Sequence, residues 1–106
     1  MNLENEIITL SNNLISFDSA NMSSIISHIE SIGKFLSSLS KDASVSMLDD
    51  ILKKKKLFLS KEEFYTLKNG INMIKIYLFL YYSNGNTYDI INDCIKEYFK
   101  ESLSCN

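Results

Sequence analysis

Proline, tryptophan, arginine and glutamine are absent from this chain of 106 residues, while glycine occurs three times, cysteine twice and histidine once. Most of these scarcities remove a class of chemistry. Three glycines leave little material for loops that cradle a ligand, and no Gly-rich phosphate loop or Walker pattern occurs. Two cysteines, Cys94 and Cys105, are too few for a disulfide framework and lack the partners of a zinc site. Both are expected as free thiols in a reducing cytosol. A metal centre or a nucleophile–base pair would have to be built on His28, which has neither cysteine near it in sequence and reads as a surface or boundary residue of a helix. No Ser-His-Asp constellation is present. No cofactor and no catalytic activity are expected. Lysine supplies all eleven basic side chains, and Ile, Asn, Ser, Tyr and Phe are abundant. That skew reflects an AT-rich genome, of a low-GC bacterium, its phages, or an AT-rich virus or parasite, and carries no chemistry.

A long hydrophobic run is also missing. The longest, Ile71 to Tyr82, is interrupted by Asn72 and Lys75 and is too short and polar to span a bilayer. The amino terminus carries Glu4 and Glu6 where a signal peptide would be basic. A chain without a membrane span, cytoplasmic in location, is expected. Nor is there an excess of positive charge. The formal charge is -2, which argues against a general binder of phosphate backbones, so no direct contact with nucleic acid is expected. Residues 1–52 hold seven acids and two lysines, and residues 53–106 hold nine lysines and six acids. This polarity suits one domain whose halves pack together.

What is present is helical periodicity. Hydrophobic residues make up 45% of the chain, enough for a core in a single domain spanning 1–106. Leu3, Ile7, Leu10, Leu14 and Phe17 recur at alternating spacings of four and three. After a break at Asp18-Ser19, so do Met22, Ile25, Ile29, Ile32, Leu36 and Leu39, with Ser19 or Asn21 as N-cap. Two such stripes joined by a short polar turn predict an antiparallel helical hairpin. A third helix is predicted from Ser46 to Lys55, with Val45, Leu48 and Leu52 inward. The fourth begins at a capping box, Ser60 with Glu63, flanked by Leu59 and Phe64 at the positions of a hydrophobic staple. Phe64, Leu67, Ile71, Ile74, Leu78 and Tyr81 continue its stripe to Asn84-Gly85, and Gly70 would permit a close helix crossing. The fifth is predicted from Asn86 to Leu103, with Ile91, Ile95, Tyr98 and Phe99 inward beside Cys94. The expected fold is all-α, a bundle of four to five helices with an N-terminal hairpin. The alternative is α+β with Ile71–Tyr82 as a strand, because that segment is rich in β-branched and aromatic residues.

Three surface features are candidates for binding a partner. Asp89, Asp93, Glu97 and Glu101 recur every four residues, a slowly drifting acidic ribbon suited to a basic groove, or else a solvated helix face. Lys53, Lys54, Lys55 and Lys56, with Lys61 close by, form a basic patch that suits an acidic partner, a membrane surface or nucleic acid, or else neutralises the end of the third helix. Away from its apolar stripe the second helix carries Ser23, Ser24, Ser27, Ser31, Ser37 and Ser38, where Glu and Lys are usual. Ser24, Ser27 and Ser31 are the positions at which a partner chain or a second copy would approach. Together these point to a small binding protein that modulates or inhibits a larger partner, in the manner of an immunity protein, a phage anti-defence inhibitor or an adaptor. That partner is another protein, a nucleic-acid-binding complex among the possibilities, or a second copy of the chain. The alternative is a self-associating helical hairpin acting as a structural or chaperone-like subunit of a secretion or assembly system.

Overall fold

A computed structural model describes residues 2–15, 19–84 and 90–104. They form five helices and, among the described residues, no strand: α1 (Leu3–Ile15), α2 (Ser19–Leu36), α3 (Lys41–Lys56), α4 (Lys61–Asn84) and α5 (Ile90–Ser104). The all-α bundle is therefore the fold, and the strand alternative for Ile71–Tyr82 is overturned, since the whole segment lies within α4. Its β-branched and aromatic residues are carried into a helix by the cap at its start and by burial recurring at Leu67, Ile71, Ile74 and Leu78. Local strand preference yields to the helical burial pattern.

Helix starts follow local hydrogen bonding. Asn2 caps α1, its side-chain oxygen accepting from the Asn5 N–H at 3.1 Å. The Ser60–Glu63 capping box is formed: the Glu63 carboxylate accepts from the Ser60 N–H and the Ser60 hydroxyl from the Glu63 N–H, each at 3.2 Å. Two expectations are corrected. Asn21 lies inside α2, which begins at Ser19. The third helix starts at Lys41 rather than Ser46, because Ser40 caps it by accepting from the Ala43 N–H at 3.1 Å. Its first turn faces inward through the buried Ser44, whose hydroxyl donates to the Leu36 carbonyl at 2.9 Å. A polar residue at an inward position hid that turn from a reading based on apolar spacing. For the fifth helix, the described part runs from Ile90, and residues 86–89 lie outside the described residues.

The hairpin of α1 and α2 is antiparallel, since Glu6 meets His28 and Asn13 meets Ser24. In the same way α3 runs antiparallel to α4, with Lys56 near Phe64, Asp49 bonded to Lys75 and Lys41 near Phe79. Helix α4 packs against all four others. It consequently buries a broad sector, Leu67, Ile71, Met73, Ile74, Tyr77 and Leu78, wider than the narrow stripe its spacing suggested. Ile7, Leu10, Ile25, Ile29, Ile32, Leu36, Leu48, Ile90, Cys94 and Ile95 complete the centre of the core. Close crossings occur where α4 or its neighbour has no side chain. A Cβ on Gly70 would lie 1.9 Å from the Ser11 hydroxyl oxygen, and one on Gly33 would lie 2.4 Å from the Tyr77 ring. The acidic and basic halves are joined by Glu4–Lys55 and Asp49–Lys75, each at 2.7 Å.

The caps carry a pH dependence. The backbone N–H of Ser60, helped by its hydroxyl, holds the Glu63 carboxyl below the usual carboxylate range, and the hydrogen bond from Lys55 does the same for Glu4. A carboxyl with a lowered native pKa stabilises the fold above its ordinary pKa, and that contribution disappears as pH falls through the native value. Stability is therefore expected to decline on the acid side. Ser60→Ala should lower it at neutral pH by about 1 kcal/mol and weaken the acid dependence, both measurable by urea unfolding across pH.

Candidate interaction surfaces

The acidic ribbon is the sequence feature that the tertiary structure most enriches. Along α5, Ile90, Cys94 and Ile95 turn into the core, which places Asp93 and Glu97 on the exposed side. Asp89 and the side chain of Glu101 lie outside the described residues. Asp93 and Glu97 border an open groove of about 580 Å³ between α4 and α5, whose apolar surface comes from Ile76, Phe79 and Leu80. Lys75 and Lys96 also line it. The Lys75 ammonium is held by Asp49, and the Lys41 ammonium stands 5.9 Å from the centre of the Phe79 ring. Phe79 remains 60% exposed. A large exposed aromatic ring in a groove lined by two carboxylates and two lysines offers an apolar anchor beside a charged rim, the division of labour found in protein interfaces.

Sequence reasoning missed Ile76, Phe79 and Leu80 as a surface. The available signal was that all three fall off the stripe Phe64, Leu67, Ile71, Ile74, Leu78 and Tyr81. Apolar residues beside a helix's core stripe need a second neighbour, and α5 covers them incompletely. A smaller groove of about 280 Å³ lies between α1 and the start of α4, with Ile8, Leu59 and the exposed Ile15 among its walls.

The serine positions differ in their contacts. The Ser24 hydroxyl accepts from the Asn13 side-chain amide at 2.8 Å, so α1 engages it within the hairpin. Ser27 is exposed and Ser31 half-buried. Ser37 and Ser38 lie beyond the end of α2 and donate back to the carbonyls of Lys34 and Phe35. The basic patch occupies the last turn of α3, where positive charge opposes the negative end of the helix dipole. Lys55 is drawn to Glu4, while Lys53, Lys54 and Lys56 are exposed, the Lys56 ammonium standing 6.0 Å from the Phe64 ring centre.

His28 and Cys94 each make a contact between helices. The His28 Nδ1 lies 2.6 Å from a Glu6 carboxylate oxygen and ties α2 to α1. Cys94 is fully buried, and its thiol donates to the Met73 carbonyl at 3.2 Å. Burial pushes that thiol up to about 12, which leaves almost no thiolate at neutral pH. Cys94 is expected to resist a thiol-specific disulfide reagent at neutral pH in the native state and to react at once in denaturant. Rapid native labelling at this residue, located by peptide mapping, would contradict its burial. Among the described residues no group of three or more His, Cys, Asp or Glu side chains is placed to hold a metal ion. No described helix is long and apolar enough to cross a membrane.

Comparison with protein-family models, with curated proteins and with solved structures finds no match to this chain.

Proposed function

We propose that this chain is a small, non-enzymatic protein-binding module that modulates or inhibits a larger partner through the groove between α4 and α5. One observation carries the reading: the exposed Phe79, with Ile76 and Leu80, lies in the same open groove as the carboxylates Asp93 and Glu97. Isolated exposed apolar residues are ordinary, but an aromatic anchor inside a concave, charged groove matches the anatomy of an interface centre and rim. The complementary partner presents an amphipathic segment, an apolar side chain to lie on Phe79 flanked by lysine or arginine facing the carboxylates. A basic segment of that kind is common on nucleic-acid-binding proteins, which suits an inhibitor of the immunity or anti-defence type. An adaptor would use the same surface.

The test is capture of the partner from the source organism with the wild-type chain and with groove variants in parallel, together with light scattering on the isolated protein. A monomer whose partner is lost on altering the groove supports the reading. A stable dimer dispersed by altering Phe79 would instead favour a self-associating subunit of an assembly or secretion system.

A further inference from the structure

The turn between α3 and α4 presents a surface separate from the groove. Because these helices run antiparallel, their short connection, Leu57 to Ser60, forms the tip of a hairpin. Leu57 is 86% exposed and Phe58 78% exposed, the highest values among the large apolar residues described. Neither lines either groove, and Leu59 instead packs against the core. Exposed lysines stand on both sides, Lys53, Lys54 and Lys56 before the pair and Lys61 after it. No acid interrupts residues 53–61. The acids begin at Glu62, and the next, Glu63, is turned back onto Ser60.

We propose that this tip docks on the surface of an anionic phospholipid bilayer, with Leu57 and Phe58 entering the headgroup boundary and the four lysines facing the lipid phosphates. A convex turn with two apolar side chains at its apex needs no shaped pocket in its partner, and a bilayer interface accepts such a tip as it stands. Lysine stems lie along apolar surface while their ammonium groups stay at headgroup level. The charge and the apolar pair thus act at the same depth, supplying the two signals that stable peripheral attachment requires. This mode is attachment without a span, and it is independent of the function assigned to the groove.

Sedimentation with vesicles of equal parts phosphatidylcholine and phosphatidylglycerol, beside phosphatidylcholine alone, tests the proposal. The chain is expected to sediment with the anionic vesicles and to be released by salt. Leu57→Ser with Phe58→Ser should weaken partition roughly ten-fold or more. Neutralising Lys53, Lys54, Lys56 and Lys61 to glutamine should weaken it by roughly several hundred-fold, since each basic residue near such a surface contributes about a five-fold factor. All these side chains are exposed, so circular dichroism of the variants should be unchanged. The chain has no tryptophan, so Phe58→Trp supplies a single tryptophan, excited selectively beside the tyrosines, whose emission should shift to the blue on anionic vesicles. Failure to sediment with anionic vesicles, an unshifted tryptophan, or binding that survives loss of Leu57 and Phe58 would each overturn the proposal. So would polyglutamate binding as tightly with the same blue shift, an outcome that would assign the tip to an acidic protein.

Discussion

Gly70→Ala should destabilise the protein by roughly 2 kcal/mol in urea unfolding, against a local effect of the opposite sign. In an isolated helix alanine is favoured over glycine by about 1 kcal/mol, and Gly70 lies in the middle of α4. Packing decides the outcome. The added Cβ would fall 1.9 Å from the Ser11 hydroxyl oxygen, 3.0 Å from its Cβ and 3.3 Å from its Cα. Rotating the hydroxyl away gives up its 2.8 Å bond to the Ile7 carbonyl and leaves the backbone of α1 in the way. The two helices must then separate, loosening Ile7, Leu10 and Ile71 together. Ser11→Gly introduced beside Gly70→Ala should restore much of the loss, a coupling that a double-mutant cycle would show. A single Gly70→Ala variant more stable than the parent would mean that the crossing is not close.

The second large effect concerns binding. Phe79→Ser should weaken capture of the partner roughly thirty-fold or more, the loss typical of a central aromatic anchor. Replacing Asp93 by asparagine and Glu97 by glutamine should also weaken it and remove most of its salt dependence, because rim charges act through screened attraction. Phe79, Asp93 and Glu97 are all exposed, so folding should be preserved, as unfolding midpoints of the variants would show. A partner bound equally by the parent and by Phe79→Ser would exclude the groove as its site. A partner lost only when Ser27 and Ser31 receive charge would move the interface to α2.

The contrast between these two sites shows how far the chain's pattern could be read. Gly70 as a crossing point was visible because a glycine in the middle of an apolar helical stripe has few other uses. Its counterpart Ser11 was not, since nothing local ties residue 11 to residue 70. Asp93 and Glu97 were recognisable as a ribbon from their four-residue spacing, but the groove beside them was not. Its apolar surface comes from α4, and its openness depends on where α5 lies against that helix. The serines of α2 were likewise visible from composition, but the bond from Asn13 to Ser24 and the bonds of Ser37 and Ser38 to the carbonyls of Lys34 and Phe35 were not.

By itself the sequence determined that this chain is helical, where α4 starts, and that Ile7, Leu10, Ile25, Ile29, Ile32 and Ile71 belong to the core. Those properties arise from hydrogen bonds and apolar spacing within a few residues of each other, so they can be read without knowing the rest of the chain. Only the tertiary structure decided that α4 is the central helix, that Phe79 stands exposed beside Asp93 and Glu97, and that Leu57 and Phe58 crown a lysine-flanked tip. Exposure and juxtaposition are set by which distant segment comes to lie alongside, and that is fixed when all five helices compete for the same buried surface.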